Sequence, residues 1–312
     1  MRFPSPSLTR RSALLGAAAL PAAAALPGLV RAAGHSAAAP APVHHAFSIG
    51  DFNVSTLLAG TRTVEDPQGT FGMNVSAEEF GEVSRANFIP TDASQFFFTP
   101  TVVNTGGEVV LFDTGLNAAG ITAALSAAGY APDDITVVVI THMHGDHIGG
   151  LIEGDTPTFP NARYVTGQVE YDHWSNADND GFKAKVAPLA DKMTFIADGD
   201  APVSGITAIA AFGHTPGHMT YHLESGEERL LLMADTANHY VWSLAHPEWE
   251  VRFDMDKSAA AQSRKKILGM VAAERIPLVG YHMPFPGVGY VDTRGEGGFA
   301  YVPLSYQMML KG

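Results

Sequence analysis

The sequence contains no cysteine. Disulfides, thiolate metal ligands, a lipid-bearing cysteine and a cysteine nucleophile are therefore excluded, and any metal must be held by nitrogen and oxygen. Positive charge is scarce: 19 lysines and arginines face 32 acids, for a net charge of −13. Four of those cations, Arg2, Arg10, Arg11 and Arg31, lie in the first 34 residues, where there is no acid, so the rest of the chain is more acidic still. A surface of that sign suits neither a phosphate backbone nor an anionic membrane, so nucleic acid is not an expected partner. There is no solenoid repeat, and no G-x-S-x-G elbow to present a nucleophilic serine. The apolar run Ala13 to Val30 follows Thr9-Arg10-Arg11-Ser12 and is interrupted by Pro21 and Pro27. It reads as a twin-arginine export signal over residues 1–34, cleaved between Ala32 and Ala39, rather than as a spanning helix. The expectation is an exported, periplasmic protein free of the membrane after cleavage. Residues 35–45 read as a flexible lead-in and residues 46–312 as one folded domain.

What the chain does have is histidine, thirteen in all. The most informative stretch is ITVVVITHMHGDHIGG, Ile135 to Gly150. Its apolar, β-branched start reads as a buried strand. Beyond the strand come His142, His144, Asp146 and His147. Residues two apart in extended chain face the same way, so His142 and His144 can aim at one point. The turn at Gly145 aims Asp146 and His147 at a neighbouring one. Three imidazoles and a carboxylate at the end of a buried strand need a compensating charge, and a dication supplies it.

Residues 46–60 and 95–112 read as strands, the latter holding a hairpin turn at Asn104-Thr105-Gly106-Gly107. Between them, residues 61–94 show little periodicity and are expected to form an irregular flap. Asp113-Thr114-Gly115 ends a strand. Asp113 can accept a hydrogen bond from a ligand histidine, or cap the helix expected near 117–129. Further strands are expected at 159–166 and 206–211, a helical segment at 170–174, and a hairpin at 221–224 and 230–233. The strand at 206–211 delivers Gly213-His214-Thr215-Pro216-Gly217-His218, and the hairpin ends in Ala234-Asp235-Thr236. Asp256 can cap a helix reaching Arg275. Residues 276–281 then form the last expected strand, followed by His282.

The order H-x-H-x-D-H, then GHTPGH, ADT and His282, resembles the metallo-β-lactamase superfamily. That resemblance implies an α/β protein, an αββα four-layer sandwich in one domain. It also implies two divalent metal ions, zinc among the choices open to a nitrogen and oxygen donor set. One ion would take His142, His144 and His214, and the other Asp146, His147 and His282, with Asp235 bridging. His218 would be a structural partner and Asp113 would lie beneath the metals. Asp146 and Asp235 are the expected catalytic carboxylates, around a bridging hydroxide that attacks an electrophilic carbonyl or phosphorus.

Within the superfamily the chain is similar to methyl parathion hydrolase and its relatives, through ITHMHGDHIGGL, FPNA at 159–162, GHTPGHMTY at 213–221, FPGVGY at 285–290 and GFAYVPLSY at 298–306. The resemblance implies hydrolysis of phosphotriesters or carboxylic esters of small-molecule substrates, and a homodimer. It places Trp174 and Phe182 where aromatic residues grip the leaving group, with core packing as the alternative. A third pocket aromatic is missing, because Leu116-Asn117-Ala118-Ala119 stands at its place. The alternatives are a lactonase or thioesterase on the same metals, and a non-catalytic metal-binding protein. Asn238 stands where lactonases carry a tyrosine three residues after the bridging aspartate, which counts against an acyl-homoserine lactonase. His144 sets the chain apart from the iron redox branch, and Asp235 with the lack of cysteine sets it apart from true β-lactamases.

Overall fold

The computed structural model describes residues 43–295 and 297–308. The expected export signal, and the lead-in up to residue 42, lie outside the described residues. In chain order the elements are β1 (His44–Ile49), β2 (Phe52–Leu57), β3 (Gly60–Glu65), α1 (Ala77–Ala86), β4 (Ala93–Phe98), β5 (Thr101–Asn104), β6 (Val109–Phe112), α2 (Ala118–Ala127) and β7 (Val137–Ile140). There follow the single turn α3 (Gly145–Ile148), the short pair β8 (Ile152–Glu153) and β9 (Thr156–Pro157), β10 (Arg163–Gly167), α4 (Gln168–Asn176), α5 (Asp180–Lys185) and β11 (Met193–Ile196). The second half adds β12 (Ile206–Ala210), β13 (Met219–Ser225), β14 (Glu228–Ala234), α6 (Lys257–Glu274), β15 (Leu278–Gly280), β16 (Val288–Arg294) and β17 (Gly298–Pro303).

Two sheets carry the fold. One runs β1-β2-β5-β6-β7-β10-β11 and the other β12-β13-β14-β15-β16-β17. Side chains alternate across each strand, and both faces are apolar. Val103, Val110, Phe112, Val137 and Val139 point inward and meet Met219, Tyr221, Leu232 and Val279 of the second sheet. Their neighbours Val102, Leu111, Val138 and Ile140 point outward, against Ile121 and Leu125 of α2, Trp174 of α4 and Phe182 of α5. On the far side Leu231, Met233 and Leu278 meet Ile267, Leu268 and Val271 of α6. The layers are thus helix, sheet, sheet, helix, as the motifs imply. Each fully buried aliphatic side chain contributes about 1.5–3 kcal/mol.

Three expectations are corrected. The first strand begins at His44, so residues 44 and 45 belong to the sheet and not to the lead-in. Residues 61–94 are not an irregular flap. They contain β3, paired with β4 from Gly60↔Phe98 to Glu65↔Ala93, and α1, capped by Ser76 and packed through Phe80 against Trp242 and Trp249. The strand after α6 is not the last, because β16 and β17 extend the second sheet.

Every loop that matters lies at strand C-termini: β6 leads to Asp113, β7 to His142, β12 toward His214, β14 to Asp235 and β15 to His282. Side chains sent from five strand ends converge at one edge of the sandwich, the usual place for a site in a sheet of this kind.

Candidate metal centre

The loop after β7 approaches the Asp113–Leu116 corner so closely that a Cβ on Gly150 would lie 2.2 Å from the Thr114 carbonyl oxygen. Only glycine allows that contact, which brings His147 under Asp113. Asp113 itself has a left-handed backbone, φ 61°, a strained conformation for a non-glycine residue. Its carboxylate accepts from Thr141 N at 2.9 Å, Thr141 Oγ1 at 2.8 Å and His147 Nδ1 at 2.8 Å. Asn117, rather than Asp113, caps α2, accepting from Gly120 N at 2.8 Å.

Three clusters of donor atoms form: His142, His144 and His214; Asp146, His147 and His282; and His142 and His147 with Asp235. His142 Nε2 lies 3.2 Å from His144 Nδ1, which lies 3.0 Å from His214 Nε2. Asp235 Oδ2 sits 3.3 Å from His214 Nε2 and 3.1 Å from His282 Nε2, while its Oδ1 is 3.3 Å from His147 Nε2. Asp146 Oδ2 is 3.3 Å from His282 Nε2 and 3.6 Å from His147 Nε2. All seven residues expected to ligate metal are therefore together, with Asp235 between the two groups.

Outer hydrogen bonds set the tautomers. His214 donates through Nδ1 to Asp254 at 2.9 Å, His147 through Nδ1 to Asp113, and His282 through Nδ1 to the Phe97 carbonyl at 2.8 Å. Thr141 Oγ1 spends its proton on Asp113 and so accepts from His142 Nδ1 at 3.1 Å. In the neutral rings each inward nitrogen is then a lone pair, facing other lone pairs or carboxylate oxygens. His147 Nε2 and Asp235 Oδ1 are buried without a hydrogen-bond partner. Such a set repels itself unless positive charge sits inside, so the donors fit a pair of cations. The same field acts on protons. Burial opposes charge on these rings, but Asp235 and its neighbouring carboxylates prevail, taking His214 up to about 9 and His282 up to about 10. His144, where burial and His214 dominate, is pushed down to about 3.

His218 is oriented differently. Its Nδ1 donates to the Ala211 carbonyl at 3.1 Å and its Nε2 accepts from Asp235 N at 3.1 Å, so it holds the Asp235 backbone. Burial keeps it neutral, down at about 3. Asn238 donates from Nδ2 to Asp235 Oδ2 at 2.8 Å.

Above the donors lies a cavity of about 380 Å³, walled by Arg62 and Val64 of β3, Phe96 and Phe98 of β4, Leu116 and Phe253 and floored by His144, Asp146, Asp235 and His282. Neither Trp174 nor Phe182 lines it. Phe182 is in the core beneath the first sheet, against Tyr171. Trp174 is buried too, with its ring centroid 6.1 Å from that of His144 and its Nε1 donating to Glu170 at 2.7 Å. The aromatic wall comes instead from Phe96 and Phe98 of β4 and from Phe253. Sequence reasoning also gave no role to Asp254, Arg264 and Glu170. Arg264, buried on α6, donates to Asp254 Oδ2 at 2.8 Å, so the His214 support rests on a charged pair.

A family model described as the metallo-beta-lactamase superfamily matches residues 99–278. The chain belongs to the metallo-β-lactamase superfamily. Among curated relatives, an N-acyl homoserine lactonase of Bacillus cereus is 27% identical over 161 residues, 51% of this chain and 60% of the relative. The probable metallo-hydrolase YflN of Bacillus subtilis (strain 168) is 26% identical over 209 residues, 58% of this chain and 78% of the relative. The chain thus spans about 60% of the length of the first of these relatives. Among solved structures, AidC, described as a dizinc quorum-quenching lactonase in complex with a product, is 26% identical with a TM-score of 0.78, covering 85% of this chain and 98% of that one. The hydrolase AbOPH is 22% identical, with a TM-score of 0.79 over 86% of this chain and 99% of that one, a likeness of fold. The superfamily resemblance stands. The relatives named are lactonases and metallo-hydrolases, and none carries the name of the methyl parathion branch.

Proposed function

We propose that the protein is a dinuclear, zinc-dependent hydrolase that opens carboxylic ester bonds, with lactones carrying an acyl side chain as the substrate class. The observation that carries this reading is the convergence of seven nitrogen and oxygen donors on the floor of a largely apolar cavity. The lactonase names of the relatives, and the dizinc description of AidC, support the choice of bond and metal. Asn238, at the position where the resemblance puts a tyrosine in lactonases, is occupied in bracing Asp235 and does not reach over the cavity floor as a lining residue.

His142, His144 and His214, and Asp146, His147 and His282, with Asp235 between them, would hold two divalent cations, which would supply Lewis acidity and a nucleophile at neutral pH. The protein's own part is positional. Phe96, Phe98, Val64, Leu116 and Phe253 exclude water and take the apolar chain. Asp146 is the ligand carboxylate most open to the cavity, its side chain 23% exposed against 4% for Asp235. The oxygen of its carboxylate that is not turned to the metal donors can hold the proton lost by water and return it to the departing alkoxide, so that water is added across the ester bond. Arg62 has no ion-pair partner among the described residues and can donate to the amide carbonyl oxygen of the acyl side chain of the bound molecule.

A second reading, hydrolysis of aryl phosphotriesters, is favoured by the phenylalanine wall, which can stack an aromatic leaving group. A panel of N-acyl homoserine lactones, aryl esters and aryl phosphotriesters, assayed with zinc-loaded and metal-stripped protein, tests both. Turnover of lactones well above phosphotriesters supports the first reading, the opposite order supports the second, and no metal-dependent turnover refutes both. The twin-arginine segment supports export as part of the same proposal, tested by cell fractionation.

A further inference from the structure

We propose that Glu170 is a positioning residue for one metal subsite only, that of His142, His144 and His214. The inference rests on the metal-centre reading above. Glu170 is fully buried in the first turn of α4, where the helix N-terminus favours an anion. A buried carboxylate is costly unless its lone pairs are used. Here four donors use them. Oε1 accepts from Met143 N at 2.9 Å and Trp174 Nε1 at 2.7 Å, and Oε2 accepts from Thr215 Oγ1 at 2.7 Å and Gly217 N at 2.9 Å.

The identity of the donors gives the claim its content. Met143 is the residue between His142 and His144. Thr215 and Gly217 lie in the three residues that follow His214. One carboxylate therefore ties the backbone of the first ligand loop to that of the second, fixing how far His214 stands from the other two imidazoles. The tie is tight: a Cβ on Gly217 would meet Glu170 N at 2.1 Å, so this loop lies against the start of α4. The Asp146, His147 and His282 subsite hangs on other supports, Asp113 and the Phe97 carbonyl. Glu170 accepts from no candidate ligand side chain and does not line the cavity, so its effect must pass through loop spacing.

The test is Glu170→Gln in the full chain. It keeps the shape but replaces one acceptor oxygen by a donor, leaving two of the four donors opposed. Metal-stripped protein is titrated with zinc against a chromophoric chelator and with cobalt followed by its absorption bands. Wild type is expected to bind two ions. Glu170→Gln should weaken one of them about 10–100-fold, the range for partners that orient ligands, shift one set of cobalt bands and leave the other ion unchanged. In a His282→Ala background the loss should persist; in a His144→Ala background it should vanish. Thr215→Val, which removes one donor, should act in the same direction but less, and it carries the test if Glu170→Gln does not fold. Equal weakening of both ions, or none, overturns the proposal. A wild type that binds no metal overturns the metal-centre reading instead.

Discussion

Asp254 Oδ1 accepts from His214 Nδ1 at 2.9 Å while its other oxygen accepts from Arg264 Nη2 at 2.8 Å, all three side chains buried. The candidate ligand His214 thus stands on a charge pair that α6 carries into the core. Arg264 is used further, donating to the Thr236 and Pro247 carbonyls at 2.8 and 2.9 Å, so the same guanidinium steadies the loop after Asp235.

Asp254→Ala should therefore act twice. Loss of the His214 partner should cost about 10–100-fold in metal affinity. Leaving Arg264 buried without its carboxylate should destabilise the fold by about 3–5 kcal/mol. Zinc titration reads the first effect and denaturant unfolding of the metal-free protein the second.

Asp235→Ala should remove both ions, because its two oxygens face His147 on one side and His214 and His282 on the other. His218→Ala should retain both, since its ring bonds only backbone atoms, Ala211 O and Asp235 N. Elemental analysis of dialysed variants distinguishes them.

Metal binding should release protons at neutral pH. Carboxylates raise His214 to about 9 and His282 to about 10, so both rings are charged at pH 7.5 in the metal-free protein and must lose a proton to ligate. Calorimetry in buffers of different ionisation enthalpy should show a release that shrinks as pH rises through 9 to 10. A release that does not depend on pH over that range would contradict the assignment.

The convergence of the seven candidate ligands was legible in the sequence because each motif is local: a buried strand, then a turn that can only aim its polar residues outward. His142 to His147, His214, Asp235 and His282 needed no long-range information once the family pattern was seen. The cavity wall was not legible. β3 is mostly polar and exposed, GTRTVE, so no alternation marks it as a strand; it becomes one because β4 pairs with it. Trp174 and Phe182 satisfy an aromatic pattern, but the helices that carry them face the sheet rather than the cavity. Asp254 and Glu170 are single acids whose partners in the His214 loop, His214 and Gly217, lie 40 and 47 residues away, and no local spacing reveals such pairs.

Arg62→Ala should raise KM for an acyl-homoserine lactone by about 10–100-fold, the range of one hydrogen bond to a charged group, with kcat little changed. A γ-lactone without the amide should show no such rise. Steady-state kinetics on the pair of substrates reads the difference.

The central claim is that seven side chains hold two ions at one edge of the sandwich. Anomalous diffraction at the zinc edge from crystals of natively produced protein tests it most directly. Two peaks about 3.5–4 Å apart, on either side of the Asp235 carboxylate, are expected. A single peak, or peaks away from His214 and His282, would contradict the account.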